Sequence, residues 1–185
     1  MRLLKFFLAP LVPLYSVIIS LRNLFFDKSV FKSVKVNAKV ISVGNITVGG
    51  SGKTPLVIYV TNLLKNSGYK VGVLSRGYGR KSRGYKLVSK GDEILTSVEE
   101  CGDEIYHTSI ECKVAAAVSE NRVKGAKRLI EESEINFIVL DDAFQHRWIL
   151  RDADLVIIDQ SFVNTEAFFT HTSLPAGAFR VRLDS

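Results

Sequence analysis

Short apolar runs alternate along this chain with segments whose apolar positions have helical spacing, a pattern typical of an α/β domain. The apolar runs predict strands at residues 32–44, 69–76, 112–118, 135–141 and 154–159. The first of these strands begins with alternating lysines and valines and ends wholly apolar, as an edge-like strand running into a core does. Helical spacing predicts helices at 54–68 and 120–133, a third beginning at Asp103, and a hairpin around Lys90 and Gly91. We therefore expect a mostly parallel sheet flanked by helices.

The N-terminal segment is different, because its residues from Phe6 to Leu21 are mostly apolar and include no charge. As a helix this run would extend only about 24 Å, short of the roughly 30 Å hydrocarbon core of a bilayer. Six apolar positions share one helical face, as an interfacial helix requires: Leu14, Val17, Ile18, Leu21, Leu24 and Phe25. We expect residues 1–30 to form a membrane-associated helix and residues 31–185 a separate domain. The alternative is an amphipathic helix packed on its own domain.

The charge of the chain is concentrated at the same end. The 185 residues include 25 Lys and Arg against 19 Asp and Glu, a formal net charge of +6. Residues 1–39 carry seven basic residues and one acidic residue, which accounts for the whole surplus. A nucleic-acid-binding protein would place its basic residues on the folded domain, so we expect no nucleic-acid partner. Basic residues near an apolar helix instead favour an anionic membrane surface.

The two cysteines, Cys101 and Cys112, have neither C-x-x-C spacing nor a paired histidine. The sequence therefore indicates neither a zinc site nor a disulfide framework. We expect two reduced thiols.

The stretch GNITVGGSGKTP, Gly44 to Pro55, nearly matches the phosphate-binding pattern G-x-x-x-x-G-K-[ST] and lies between a predicted strand and a predicted helix. Its glycines allow consecutive backbone N–H groups to point at phosphate oxygens. Lys53 is placed to reach the β- and γ-phosphates, and the Thr54 hydroxyl to ligate Mg²⁺. The candidate nucleotide-binding residues are Thr47, Gly49, Gly50, Ser51, Gly52, Lys53 and Thr54. Thr47 replaces the first glycine of the pattern, and the alternative is a glycine-rich turn without a nucleotide.

A second element supports a metal site. The apolar segment FIVLDD ends with Asp141 and Asp142, as a strand that delivers a carboxylate to Mg²⁺ does. Two acids after a strand also occur in solvated turns, so this pair gains weight only beside the glycine-rich loop. Together the two elements predict a P-loop NTPase-like α/β fold.

Several motifs in order resemble the tetraacyldisaccharide 4′-kinases, which phosphorylate a lipid A precursor in Gram-negative bacteria. They are SVGNITVGGSGKTP, LSRGYGRKSRG, CGDE, NRVKGA, LDDAFQHR and LPAGAFR. The resemblance covers residues 1 to about 180, and the family's glycine loop commonly lacks the first glycine, as here. It implies ATP and Mg²⁺ as cofactors, a glycolipid disaccharide 1-phosphate as acceptor, and a place at the cytoplasmic face of the bacterial inner membrane in lipopolysaccharide synthesis.

The resemblance also implies roles for single residues. Asp103 is the expected base that accepts the proton of the acceptor hydroxyl, with Lys53 and Arg180 as further catalytic residues. Expected substrate-binding residues are Arg76, Tyr78, Glu104, Arg122 and His146. Without the resemblance, Asp103 would be read as a helix N-cap, the arginines as surface residues and His146 as structural.

Two departures from the family pattern affect these expectations. Ala143 replaces the common glycine of the Asp-Asp-Gly-Phe-Gln-His element, a change that matters only if that position needs a positive φ. Family chains also continue well beyond LPAGAFR, so we expect an N-terminal portion with the donor site and an incomplete acceptor site. Two other functions stay open at this point: a nucleotide-dependent switch without lipid kinase activity, and a membrane-binding remnant without nucleotide.

Overall fold

A computed structural model of the chain describes residues 11–45 and 52–158. The helices are α1 (Leu11–Asp27), α2 (Lys53–Asn66), α3 (Val98–Cys101), α4 (Asp103–Cys112) and α5 (Arg122–Ser133). The strands are β1 (Lys39–Asn45), β2 (Val71–Ser75), β3 (Lys86–Lys90), β4 (Glu93–Ile94), β5 (Ala115–Val118), β6 (Phe137–Asp141) and β7 (Ala153–Ile157). The chain divides into two compact units, of which one holds Ser33–Asn45 and Gly52–Ile157 and the other includes α1.

The seven strands form one sheet in the order β4-β3-β5-β2-β6-β1-β7. Strands β5, β2, β6, β1 and β7 run parallel to one another, whereas β3 is antiparallel to β5 and β4 is antiparallel to β3. The predicted mostly parallel sheet and its hairpin are therefore confirmed. Strands β1, β2, β5 and β6 end on the same side of the sheet, at Asn45, Ser75, Val118 and Asp141. We call this side the carboxyl edge.

Alternating side chains of the strands pack against helices on the two faces of the sheet, as the two-residue repeat of a strand requires. On one face Val43, Val73 and Val139 share a core cluster with Val57 of α2 and Ile105 of α4. On the other face Leu74, Ile138 and Leu140 share a cluster with Ala126 and Leu129 of α5. The sheet is thus flanked by helices, as its apolar runs predicted.

Local signals place the helix ends. Helix α2 is followed by Gly68, whose φ of +84° is in the left-handed region that favours glycine at a helix C-terminus. Helix α5 begins after Asn121, whose side chain accepts a hydrogen bond from the backbone N–H of Lys124 over 3.0 Å. Both ends lie within two residues of the predicted ones.

The first strand is shorter than its sequence pattern predicts. The alternation of lysine and valine indicated a strand from residue 32, but β1 begins at Lys39 and Val34 makes only an isolated bridge to Ile149. Within β1, the N–H of Val40 donates to the side chain of Asp152 over 2.8 Å, and the Lys39 ammonium pairs with the same carboxylate. The apolar end of the pattern is confirmed as a buried strand, because β6 and β7 flank β1.

Helix α1 exposes an apolar face. Five side chains of the predicted interfacial face are between 39% and 55% exposed: Val17, Ile18, Leu21, Leu24 and Phe25. In the same unit the ring of Phe31 makes edge-on contacts with Phe25 and Phe26 at 5.3 and 5.4 Å between centroids. Among the described residues no helix has the length and apolarity needed to cross a bilayer.

We predict that Leu129→Ala lowers the free energy of unfolding by about 2–5 kcal/mol, because it opens a cavity in a fully buried cluster. The matched control is Leu63→Ala, the same change at a leucine of α2 that is 54% exposed, for which we expect a much smaller loss. Urea unfolding followed by circular dichroism measures both. Equal losses would contradict the assignment of Leu129 to the core.

The thiols should be unreactive in the folded chain. Cys101 and Cys112 are buried and not bridged, and burial raises the pKa of both thiols, that of Cys112 to about 11. Since the thiolate is the reactive form, Ellman's reagent at pH 8 should label neither cysteine in buffer and both in concentrated urea. Fast labelling of the folded chain would show that this region opens readily.

Candidate active site

The N-terminus of α2 lies at the carboxyl edge and carries the lysine of the glycine-rich loop. Gly52, at the N-cap position, has a φ of +76°, which glycine adopts without strain. The Lys53 ammonium donates to Oδ1 of Asn45, at the end of β1, over 3.2 Å and lies 3.2 Å from Oδ1 of Asp142. Lys53 therefore connects the ends of β1 and β6. Thr54 follows it in the first turn, whereas Thr47, Gly49, Gly50 and Ser51 lie outside the described residues.

Asp141 is the buried acid of the site, with 5% of its surface exposed. Its Oδ2 accepts a hydrogen bond from the Ser75 hydroxyl over 3.0 Å, and its backbone carbonyl accepts one from the Arg122 guanidinium over 2.9 Å. Its Oδ1 is buried without a hydrogen-bond partner among the described residues. Burial raises the pKa of Asp141, and the Ser75 hydroxyl opposes that rise by stabilising the carboxylate.

The next residue turns away from the core. Asp142 has a φ of +49°, a left-handed conformation that aspartate tolerates better than most residues. Its side chain is exposed and forms the ion pair with Lys53. One carboxylate is therefore held inside by Ser75, while the other faces solvent and the lysine.

Ala143, which departs from the family's glycine, fits its position. The described non-glycine residues with positive φ are Ser29, Lys113, Glu134 and Asp142, so position 143 needs no glycine. The side chain of Ala143 is fully buried. The position that does require glycine is Gly44 in β1, because a Cβ there would come within 2.6 Å of the Cβ of Phe144 in the turn after β6. Gly44 thus lets the turn after β6 pack against β1.

The basic loop, residues 76–84, packs against the turn that begins α4. A Cβ on Gly102, whose φ is +94°, would meet the carbonyl oxygen of Tyr78 at 2.8 Å, and one on Gly77 would meet that of Cys101 at 2.8 Å. The Arg80 guanidinium, nearly buried, donates to the Gly84 carbonyl and pairs with Glu120. These contacts hold the basic loop in place, while Arg76 stays exposed and Tyr78 is 86% exposed.

The acids of the GDE motif lie in the first turn of α4. Asp103 is exposed, and its Oδ1 accepts from the backbone N–H of Glu104 over 3.0 Å, while the N-cap position is Gly102. Burial raises the pKa of the Glu104 carboxyl, the Asp141 carboxylate adds to that rise, and the Lys53 ammonium opposes it. The pKa of Glu104 therefore depends on the charges at the carboxyl edge.

Arg122 is not the surface residue that its type would suggest. It is 3% exposed, donates to the carbonyls of Ser119 and Asp141, and burial lowers its pKa to about 10. His146 is half-buried, and its backbone N–H donates to the Ala143 carbonyl over 2.9 Å. Arg180 lies outside the described residues.

Sequence reasoning missed three residues that shape this edge: Asn45, Ser75 and Glu120. Ser75 carried a usable signal, because it is a polar residue ending an otherwise apolar strand. The Arg80–Glu120 pair carried none, since 40 residues separate the two in sequence.

Comparisons with known proteins agree with this geometry. The family model for tetraacyldisaccharide-1-P 4′-kinase matches residues 4–185. A tetraacyldisaccharide 4′-kinase of Chlorobaculum parvum is 42% identical over 180 residues, which are 95% of this chain and 49% of the relative. One of Aquifex aeolicus is 40% identical over 179 residues, 96% of this chain and 54% of the relative.

A solved structure shares the fold. A crystal structure of LpxK from Aquifex aeolicus in complex with ATP superposes with a TM-score of 0.82 at 40% sequence identity, covering 96% of this chain and 54% of that one. The chain thus spans about half the length of the curated relatives it matches. On the family match over nearly all of its residues, the chain belongs to the tetraacyldisaccharide 4′-kinase family.

Proposed function

We propose that this chain binds ATP with Mg²⁺ at its carboxyl edge and acts in transfer of the γ-phosphate to the 4′-hydroxyl of a tetraacyldisaccharide 1-phosphate, a step of lipid A synthesis. The observation that carries the proposal is the position of Lys53, between Asn45 and Asp142 at the N-terminus of α2. Helix N-termini favour anions through their dipole and free N–H groups. The relatives' names supply the acceptor, and the Aquifex structure supplies ATP as the ligand of a relative.

The residues present fit Mg²⁺. Asp141 Oδ1 is a buried carboxylate oxygen without a hydrogen-bond partner among the described residues, which is costly unless a cation or water satisfies it. No group of three His, Cys, Asp or Glu side chains converges in the described part of the chain. Mg²⁺ bound with a nucleotide needs only one or two carboxylates plus phosphates. In this proposal Asp141, Asp142 and Thr54 hold the ion, which neutralises phosphate charge.

The proposed binding site for the disaccharide acceptor rests on the packing of the basic loop against the turn that begins α4. Asp103 accepts the hydroxyl proton, and Glu104 lies next to it. Arg76 and Tyr78, both exposed, contact the anionic disaccharide. In this proposal further contacts to the substrate come from Arg122, His146 and Arg180. Such catalysis consists mainly of positioning and charge neutralisation.

Phosphotransfer tests the proposal directly. In mixed micelles with labelled ATP, Mg²⁺ and the disaccharide 1-phosphate, we expect this chain to yield 4′-phosphorylated lipid, but more slowly than its relatives do, because it spans about half of their length. Lys53→Ala should lower the rate at least about a hundredfold, because it removes a charge that stabilises the transferring group. Asp103→Ala should lower it about 10²- to 10⁴-fold, the usual contribution of a general base. The control is Lys127→Ala, at an exposed position of α5.

The outcomes separate the candidate functions. Absence of product while the chain still binds ATP would contradict the kinase proposal for this chain and favour a nucleotide-binding switch. Absence of both product and ATP binding would contradict the nucleotide site as well.

We further propose that α1 lies on the inner membrane at its cytoplasmic face. Supporting this, the exposed apolar side chains of α1 form one face, and exposed Lys28 and Lys32 follow the apolar part of the helix. Burial of a large apolar side chain contributes about 1.5–3 kcal/mol, and each basic residue near an anionic leaflet about 1 kcal/mol. Apolar insertion would therefore dominate and charge would assist.

Co-sedimentation with vesicles of phosphatidylethanolamine and phosphatidylglycerol checks this proposal. We expect Leu21→Asp to weaken partitioning at least about tenfold, since it removes apolar burial and adds a charge facing the bilayer. The control is Leu63→Asp, at a comparably exposed leucine of α2. Equal effects of the two substitutions, or no partitioning of the unmodified chain, would contradict membrane binding through α1.

A further inference from the structure

The ends of β2 and β6 bring a serine beside the buried acid of the site. These strands pair in parallel with Leu74 opposite Leu140, so Ser75 and Asp141 are the next residues along each strand. Ser75 is 4% exposed, and its hydroxyl donates to Asp141 Oδ2 over 3.0 Å. The contact is thus built into the register of the sheet and is shielded from competing water.

The same hydroxyl has a second partner. Its oxygen accepts from the backbone N–H of Gly77, in the basic loop, over 3.4 Å. A serine hydroxyl has one proton and two lone pairs, so donation to Asp141 leaves the oxygen free to accept. Ser75 therefore contacts both the buried carboxylate and the backbone of the loop that carries Arg76 and Tyr78.

The bond also distinguishes the two oxygens of the carboxylate. Oδ2 is occupied by Ser75, whereas Oδ1 is buried and unpartnered among the described residues. The terminal torsion of an aspartate side chain is broad, so a fixed donor on one oxygen is what orients the other. Without the hydroxyl, both oxygens would lack a partner and the carboxylate could rotate.

We propose that Ser75 is a positioning residue that holds Asp141 by Oδ2 so that Oδ1 is free for the Mg²⁺ accompanying the nucleotide. This inference rests on the proposed function, because it requires Mg²⁺–nucleotide binding at the carboxyl edge. Ser75 acts on the ion only through Asp141, and partners of metal ligands tune affinity in this way.

Nucleotide binding titrated against Mg²⁺ tests the proposal without any catalytic readout. Binding of a non-hydrolysable ATP analogue is measured by calorimetry in EDTA and at increasing Mg²⁺. For Ser75→Ala we expect the Mg²⁺ concentration at half-maximal enhancement to rise at least about tenfold, with metal-free affinity unchanged. Ser75→Thr, which keeps the hydroxyl, should restore the unmodified Mg²⁺ response.

The matched control is Ser42→Ala, the same change on the other side of β6. Ser42 is a fully buried serine of β1 whose hydroxyl has no partner among the described residues. Melting temperatures confirm that each variant is folded. If Ser75→Ala is unfolded, Ser75→Cys, which keeps the size but weakens the donor, takes its place with the same expected direction.

Two results would overturn the proposal, and they differ. The first is that Ser75→Ala requires no more Mg²⁺ than Ser42→Ala, or that it weakens analogue binding in EDTA as much as it weakens binding with Mg²⁺. In that case Ser75 is structural, and the proposed function is untouched. If Mg²⁺ does not enhance analogue binding even in the unmodified chain, the metal site itself is refuted, and the role of Ser75 falls with it.

Discussion

The site depends on the parallel pairing of β6 with β1 on one side and β2 on the other. This pairing brings Asn45, Ser75 and Asp141 to the carboxyl edge, where the chain leaves each strand. Ligands of open α/β sheets bind outside the carboxyl ends of strands. Lys53 at the start of α2, Ser75 at the end of β2 and Arg122 at the start of α5 can all meet the end of β6 because of this single arrangement.

The burial of Asp141 gives the edge its electrostatic character. A carboxylate withdrawn from water is costly unless hydrogen bonds or opposite charges compensate it. Here the compensation is incomplete, since Ser75 satisfies one oxygen and Arg122 reaches only the backbone carbonyl. The remaining oxygen is left for a cation or a water molecule to satisfy. By contrast, the exposed carboxylate of Asp142 pairs with the mostly buried side chain of Lys53.

Much of the fold follows from sequence because each signal is local. Apolar runs predicted the five parallel strands, and Gly68 follows α2 with the left-handed φ that favours glycine after a helix. The start of β1 was misplaced because residues 32–38 have the alternation of a strand, yet Val34 pairs only through an isolated bridge to Ile149, more than 100 residues away. Pattern reading cannot foresee whether a distant segment is available as a pairing partner.

The candidate site could likewise be predicted from the sequence only in part. The motif gave Lys53, and the strand ending in FIVLDD gave Asp141 and Asp142. These patterns could not give the partners that hold the acids, because strand order decides that Ser75 neighbours Asp141 and that Arg122 reaches the Asp141 carbonyl. Likewise, only the φ of position 143 shows why alanine is tolerated where the family has glycine.

The central claim is that the carboxyl edge is a Mg²⁺–nucleotide site organised around Lys53 and Asp141. A crystal structure of this chain with Mg²⁺ and a non-hydrolysable ATP analogue tests it most directly. The account predicts phosphate oxygens within hydrogen-bonding distance of the Lys53 ammonium, and an ion contacting Asp141 Oδ1 directly or through water. A nucleotide bound elsewhere, or an ion that leaves Asp141 Oδ1 without a partner, would contradict it.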